Sequence, residues 1–365
     1  MRTLKKIETI LEEEVIDIKK LRAFIHSGLP DCKKYRPVCW KLLFNYLPAN
    51  KEKWPDHLAR QRKNYQNLIN EMVIPPGFKK IDLSVDHPLS DGPDSTWSTF
   101  FKDNETFLLQ IDRDVRRLLP DISFFQEPTK FPCEIVANSD SDIRLHSRVA
   151  PSTLSSANVE RKGLGVTKIN LILKRAAESY AAQEHGKEAN WEVVERMLFI
   201  YAKLNPGQGY VQGMNEIIGP IYYVFASNDD HAEFAEADCF WCFTALMSEI
   251  RDFFIKSLDE SENGIRGMMN KLSKLLEKRD FPVFRWLTLL LSQEFPLPDV
   301  LRLWDSILSD VSRFEYLIFV CCAMIVLVRG DILENDFEHN VKLLQNFPST
   351  DINFVLNRAN QLRES

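Results

Sequence analysis

Two short segments of the chain carry the residue types that could do chemistry. The first runs from Ile111 to Arg117 and contains two aspartates and three arginines. Because residues three apart share a helix face, its spacing predicts a helix with Ile111, Asp114 and Arg117 along one side. Charged residues four apart, such as Asp112 and Arg116, are also typical of an ordinary solvent-exposed helix. Taken alone, this segment therefore favours a solvated helix face.

The second segment spans residues 206–215 and has the sequence Pro-Gly-Gln-Gly-Tyr-Val-Gln-Gly-Met-Asn. Gly207 and Gly209 stand shortly before the polar residue Gln212, which indicates a backbone held close to another group. A turn between two helices explains the same glycines, since glycine is common just after a helix end. Taken alone, this segment favours the turn.

Several common active-site motifs do not occur in the sequence. There is no P-loop motif GxxxxGK(S/T), no metalloprotease motif HExxH and no nucleophile motif GxSxG. The third glycine, Gly213, comes one residue too late for the dinucleotide-binding fingerprint. Cys239 and Cys242 have the spacing of zinc ligands but no second pair, so two core cysteines are favoured. The sequence predicts no metal site and no self-contained active site of a common type.

The composition is that of a globular protein. Of 365 residues, 45% are hydrophobic, and the 24 Phe and 7 Trp are too many for a disordered chain. A formal net charge of -6 offers no surface that neutralises phosphates, which argues against a nucleic-acid partner. Seven scattered cysteines fit a reducing compartment. The chain has no secretory signal, and its longest apolar run, 317–328, is shorter than the ~20 residues of a bilayer span. We predict a cytoplasmic protein without a transmembrane segment.

Apolar residues recur three to four positions apart along most of the chain. This period predicts an all-α fold, and no repeat of fixed length occurs. Trp40, Trp191, Trp286 and Trp304 are predicted to be core residues. The predicted helices cover residues 4–25, 36–48, 101–119, 168–183, 191–204, 215–226, 233–257, 264–278, 282–294, 298–308, 315–328 and 350–362.

The helix at 191–204 is predicted to have an apolar stripe, with Glu192 and Glu195 off that stripe. Residues 138–163 are rich in serine and lack aromatics, which predicts a flexible insertion. The predicted organisation is an N-terminal helix within residues 1–27, followed by one domain over residues 28–362.

Together, the two segments resemble a known family. Ile111-x-x-Asp114-x-x-Arg117 followed by Tyr210-x-Gln212 is similar to the paired signature of TBC-domain Rab GTPase-activating proteins. Flanking sequence resembles the family as well, with its opening segment at residues 28–40 and its closing helices at 284–305. The resemblance spans about residues 20–362.

This resemblance implies an all-α TBC (Rab-GAP) domain at 28–362, with two helical halves forming a V that receives a GTP-bound Rab small GTPase. Arg117 matches the arginine finger of the family, which neutralises charge on the transferred phosphoryl oxygens. Gln212 matches its glutamine finger, which orients the attacking water. GTP and Mg²⁺ are bound by the partner GTPase, so the resemblance implies no cofactor of the chain's own. Membrane contact is implied only peripherally, through the Rab, and transiently at endomembranes. The supporting residues that the match implies are Ile111, Asp114, Tyr210 and Gly213.

Two features depart from the family pattern. Arg117 and Gln212 are further apart than usual, which the insertion at 138–163 explains at small cost. The segment at 263–282 has fewer residues than the corresponding segment of the family usually has. Two functions therefore stay open: an activator of GTP hydrolysis, favoured by the presence of both finger residues, and a non-catalytic Rab-binding or scaffold module with a TBC fold, favoured by the short segment.

Overall fold

The structure is a computed structural model that describes residues 2–30, 34–74, 105–138, 144–149, 183–228, 230–251, 254 and 284–364. Within these ranges it contains helices and two isolated β-bridges and no strand, so the all-α prediction is confirmed. None of the helices in the described ranges combines the length and apolar character needed to cross a bilayer. The α-helices are α1 (Arg2–Glu12), α2 (Ile18–His26), α3 (Arg36–Leu43), α4 (Trp54–Leu68), α5 (Glu105–Val115), α6 (Glu134–Ala137), α7 (Asn190–Leu204), α8 (Met214–Ala226), α9 (Ala235–Ile250), α10 (Phe284–Thr288), α11 (Leu297–Ser309), α12 (Arg313–Leu327), α13 (Arg329–Glu334), α14 (Phe337–Gln345) and α15 (Ile352–Glu364).

The chain forms two compact units. Unit 1 consists of Met1–Leu58, Ser227–Asp230 and Trp241–Ser365, and unit 2 consists of Ala59–Ala226 and His231–Phe240. Each unit has its own buried apolar residues, as expected when an amphipathic helix must cover its apolar face with another element.

In unit 1 the core forms around α11 and α12. Helix α12 packs against α15, and α11 contacts α2, α3, α12 and α15. The indole rings of Trp40 and Trp304 lie together with centroids 5.9 Å apart, and Trp286 is fully buried. With Trp191, which is fully buried in unit 2, these are the four tryptophans predicted to be core residues, and the prediction is confirmed.

A buried carboxylate joins two distant parts of unit 1. Asp305 on α11 accepts hydrogen bonds from the backbone N–H of Leu29 at 3.0 Å and from the indole N–H of Trp40 at 2.8 Å. The guanidinium of Arg36 also pairs with it, at 3.1 Å. Because both charges are buried, each requires the other. The segment that begins the family resemblance is thus fixed to the segment that ends it.

In unit 2 the central element is α7, which contacts α5 and α8. Every residue from Asn190 to Ala202 is buried, so the predicted polar face is wrong. Inside the protein, Glu192 Oε1 lies 3.2 Å from Arg144 Nη1 and 3.2 Å from His146 Nδ1. Glu195 is equally buried, and burial, reinforced by the nearby Asp112 carboxylate, raises its pKa well above the ordinary value.

Several predicted helix boundaries are wrong. The helix predicted at 4–25 is divided into α1 and α2, because Asp17 accepts the backbone N–H groups of Lys19 and Lys20 and so caps a new helix. The helix predicted at 282–294 stops at Thr288, and positive φ values of 50° and 59° at Leu290 and Leu291 prevent its continuation.

Of the predicted insertion, the structure describes residues 138 and 144–149, and residues 144–149 pack into unit 2. Leu145 and Val149 are buried in unit 2, and Arg144 Nη2 donates to the backbone carbonyl of Lys187 at 2.7 Å. The rest of the insertion from 139 onward lies outside the described residues. So do the helix predicted at 264–278, all but the last residue of the one at 168–183, and the short segment at 263–282.

Candidate functional site

Arg117 lies in a turn directly after α5. The helix was predicted to reach residue 119, but it ends at Val115, and the Arg117 N–H bonds to the Asp114 carbonyl at 3.3 Å. Leu119 then adopts a φ of 42°, which is incompatible with a continuing helix. A cation near a helix C-terminus is favoured by the helix dipole. The Arg117 side chain is 55% exposed, so it reaches solvent from a helix end and not from a helix face.

Asp114 connects Arg117 to the second segment. Its carboxylate is buried, and Oδ1 forms an ion pair with Arg117 Nη2. The other oxygen, Oδ2, accepts a hydrogen bond of 2.8 Å from the hydroxyl of Tyr210. Burial and the Asp114 carboxylate both raise the pKa of the Tyr210 hydroxyl. Tyr210 therefore stays protonated and donates to Asp114 at physiological pH.

The second segment forms a turn between α7 and α8. Gly209 and Gly213 adopt positive φ values of 63° and 102°, where a side chain would be strained. An ideal Cβ at Gly207 or Gly209 would meet no atom within 4 Å, so no neighbouring backbone explains these glycines within the described structure. The turn interpretation is therefore supported. Gln212 is exposed in this turn, two residues after the buried Tyr210.

Asn215, in the first turn of α8, is a buried polar residue to which the sequence analysis gave no role. Its Nδ2 donates to the backbone carbonyl of Asp114 at 3.3 Å and to Glu216 Oε1 at 2.9 Å. Its Oδ1 lies 3.3 Å from the Tyr210 hydroxyl. The sequence signal for Asn215 was an amide side chain that stands with Glu216 at the start of a helix whose later residues are apolar or aromatic.

Another charged pair fixes the preceding turn of α5. Arg116 Nε donates to Asp112 at 2.9 Å, and the Arg116 guanidinium lies 4.6 Å from the centre of the Trp191 ring. Asp112 is completely buried, so this pair is not the solvated one that its spacing predicted. Ile111 is also completely buried and anchors α5 in the core of unit 2.

Asp114 thus bonds to both Arg117 and Tyr210, and Gln212 lies in the exposed turn two residues after Tyr210. Ile111 and Gly213 support the helix and the turn. Among the described residues, no group of three or more His, Cys, Asp or Glu side chains could hold a metal ion. Arg117 and Gln212 are the exposed side chains of this arrangement.

Comparison with known proteins identifies the family. The Rab-GTPase-TBC domain family matches residues 146–333, a range that includes Tyr210 and Gln212 and begins after Arg117. TBC1 domain family member 13 of Mus musculus is 49% identical over 98% of this chain and 97% of its own length. TBC domain-containing protein C1952.17c of Schizosaccharomyces pombe is 33% identical over 99% of this chain and 72% of its own length.

A solved structure shows the same fold. The crystal structure of the Ypt/Rab-GAP domain of Gyp1p superposes with a TM-score of 0.66 at 24% identity, covering 100% of this chain and 98% of that one. The family match covers more than half of the chain, and one relative is similar over nearly the full length of both proteins. The chain therefore belongs to the Rab-GTPase-TBC domain family.

Proposed function

We propose that the chain accelerates GTP hydrolysis by a GTP-bound Rab small GTPase, to which it supplies Arg117 and Gln212. Family membership supports the class of partner. GTP and Mg²⁺ belong to the partner in this proposal, and the chain acts as an activator without an active site or cofactor of its own. We further propose that it works in the cytoplasm and meets endomembranes transiently, through the Rab alone.

Arg117 is the residue that would stabilise the transition state. In phosphoryl transfer, negative charge spreads over the equatorial oxygens, and an arginine supplied in trans accelerates hydrolysis about 10³–10⁵-fold. A guanidinium is always charged and can donate to two oxygens at once. Arg117 is suited to this because its backbone is fixed in a turn while its side chain remains more than half exposed.

Gln212 would act on the attacking water. A carboxamide can accept a hydrogen bond through its oxygen and donate through its nitrogen, so it can orient a water molecule towards the phosphoryl group. Its turn is fixed by Gly213 and by the buried Tyr210, while Gln212 itself is exposed. The proposal gives the chain both groups that complete hydrolysis.

The observation that carries the proposal is the hydrogen bond from Tyr210 to Asp114, whose other oxygen holds Arg117. Arg117 and Gln212 come from distant parts of the sequence, and this bond joins their segments within unit 2. Two exposed residues that act on one phosphoryl group must be held at a fixed separation, because misplacement by about 1 Å can cost about 100-fold in rate.

The test is single-turnover GTP hydrolysis on a panel of GTP-loaded Rabs. We expect the wild-type protein to accelerate hydrolysis by a subset of them and Arg117→Ala or Gln212→Ala to abolish the effect. Matched controls are Arg358→Ala and Gln361→Ala, since the half-buried Arg358 and the exposed Gln361 form an arginine–glutamine pair on α15. The controls should retain wild-type activity.

Failure of a folded wild-type sample to accelerate any Rab would contradict the proposal. Binding of GTP-loaded Rabs without acceleration would establish the alternative, a non-catalytic Rab-binding module. The same Rab panel in a pull-down assay distinguishes that result from an absence of binding.

A further inference from the structure

Two residues of α8 contact the turn that carries Arg117, one on each side of it. Asn215 donates from Nδ2 to the backbone carbonyl of Asp114, three residues before Arg117. Gly219 lies against the side chain of Leu118, the residue directly after Arg117. Asn215 and Gly219 are four positions apart, and residues with this spacing lie on the same face of a helix.

A side chain at Gly219 would require the Leu118 side chain to move. An ideal Cβ at this position would be 2.9 Å from Leu118 Cδ1 and 3.3 Å from Leu118 Cδ2. Leu118 is completely buried, so it cannot swing out into solvent without exposing its apolar surface. Gly219 lies in mid-helix with Pro220 directly after it, which are two poor helix formers in succession. Close approach of Leu118 accounts for the glycine.

The side chain of Asn215 supplies a hydrogen-bond donor to a backbone carbonyl at the end of α5. Helix α5 stops at Val115, and the last carbonyl groups of a helix have no partner further along it. The Asp114 carbonyl accepts the Arg117 N–H at 3.3 Å and the Asn215 amide at the same distance. Asn215 is buried, so a water molecule does not readily replace its side chain. It therefore holds the residue from which the turn departs.

We infer that Asn215 and Gly219 form a docking face on α8 that positions Arg117 relative to Gln212. The inference deepens the proposed function and rests on it. The turn that contains Gln212 leads directly into α8, so one helix follows Gln212 and also contacts the chain on both sides of Arg117, at the Asp114 carbonyl and at the Leu118 side chain. Asn215 and Gly219 are positioning residues, because they act through Asp114 and Leu118.

The central test is a rescue experiment. Gly219→Ala should lower the rate of Rab-stimulated GTP hydrolysis at saturating protein by about 10- to 100-fold, because displacement of Leu118 moves Arg117. The half-saturating concentration should stay within about twofold of wild type, since Gly219 is buried and the variant changes no exposed residue. Adding Leu118→Val removes the end of the side chain that the new methyl group meets, and this double variant should recover most of the rate. Leu118→Val alone measures the effect of the smaller side chain.

A matched glycine provides the control. Gly330 is helical, in α13 of unit 1, and an ideal Cβ there would meet no atom within 4 Å. Gly330→Ala should therefore keep the wild-type rate. If the double variant recovers nothing, or if Gly219→Ala keeps the wild-type rate, the inference is wrong.

Hydrogen exchange provides a reading that does not depend on activity. In Gly219→Ala and Asn215→Ala, the amides of residues 116–118 should exchange faster than in the wild type, while those of α12 should not change. Unchanged exchange at 116–118 in both variants would overturn the inference.

These experiments distinguish failure of the proposed function from failure of the positioning inference. If the wild type accelerates no Rab, the activator proposal is lost, and the exchange data alone decide whether α8 positions the Arg117 turn. If the wild type is active and Arg117→Ala is inactive while Gly219→Ala is unaffected, the proposed function stands and only the positioning role is lost.

Discussion

Tyr210 and Asp114 are joined by a hydrogen bond of 2.8 Å although they are 96 positions apart in the chain. The bond is buried, and the acceptor carboxylate also holds the exposed Arg117. The tyrosine hydroxyl thereby links the two segments whose residue types stood out in the sequence, and the Asn215 amide adds a second bond between them. Two predictions follow from this link, and two more follow from buried carboxylates, one in each unit.

Tyr210→Phe should reduce the activation of GTP hydrolysis without unfolding unit 2. The change keeps the ring but leaves Asp114 Oδ2 without its donor, and a hydrogen bond to a charged group contributes about 1.5–3 kcal/mol. We expect the rate at saturating protein to fall about 10-fold or more. Single-turnover hydrolysis measures it, with Tyr223→Phe, a half-exposed tyrosine of α8, as the control. Equal rates for wild type and Tyr210→Phe would show that the link plays no part in activation.

Arg117→Lys should be nearly as inactive as Arg117→Ala. Lysine keeps the positive charge but offers a single ammonium group in place of the planar fork that donates to two oxygens. We expect the loss to approach about 10³-fold in rate. The hydrolysis assay with both variants checks this. A lysine variant with more than half of the wild-type rate would mean that charge alone suffices.

Glu195→Gln should stabilise the protein increasingly as the pH rises. Burial and the Asp112 carboxylate raise the pKa of Glu195 well above its ordinary value of 4.5, which it regains on unfolding. The folded state therefore binds a proton that the unfolded state releases, so this contribution is present at low pH and is lost as the pH rises towards the folded pKa. A glutamine has no proton to bind.

Urea denaturation at pH 5 and pH 8 measures the effect of Glu195→Gln. Relative to the wild type, the free energy of unfolding of the variant should rise by up to about 1.4 kcal/mol per pH unit between the two pKa values. The exposed Glu334, changed to Gln, serves as the control. A stability difference that is the same at both pH values would contradict the raised pKa.

Asp305→Asn should destabilise unit 1. The change removes the charge that balances the buried Arg36 and places an amide where three donors converge. Removing one partner of a buried ion pair costs about 3–5 kcal/mol. Urea denaturation followed by tryptophan fluorescence reports it, because Trp40 contacts Asp305 directly. The control is Asp331→Asn at an exposed position, where a change within about 0.5 kcal/mol is expected.

The sequence predicted the all-α fold class and the four core tryptophans. The first follows from local periodicity and the second from side-chain size. The sequence did not predict where α5 ends, since Arg116 and Arg117 are good helix formers and the next proline is Pro120. After that end, Leu118 packs against Gly219 and Leu119 has a φ of 42°, and a contact between such distant segments is not visible in local sequence. Helix α4 was missed because Tyr65 is its one buried residue and no apolar stripe marks it.

Burial of the glutamates on α7 could not be predicted for a similar reason. Glu192 looks solvent-exposed from its position off the apolar stripe, yet its partner Arg144 comes from 48 positions earlier. The identities of Arg117 and Gln212 as candidate residues came from motif spacing and stay a prediction. The hydrogen bond from Asn215 could not be predicted from the sequence, because no spacing rule connects an amide at the start of one helix with a carbonyl at the end of another.

The bond between Leu29 and Asp305 has a consequence for biosynthesis. Its partners are 276 positions apart, while unit 2 is formed largely by a continuous stretch of the chain between them. At about 5–20 residues per second, a ribosome needs on the order of 10 to 60 s to supply Asp305 after Leu29. Throughout that interval Arg36 and Trp40 have no native carboxylate to bind. Unit 1 therefore cannot complete this buried ion pair until Asp305 has been synthesised, whereas the residues of unit 2 have all been supplied by then.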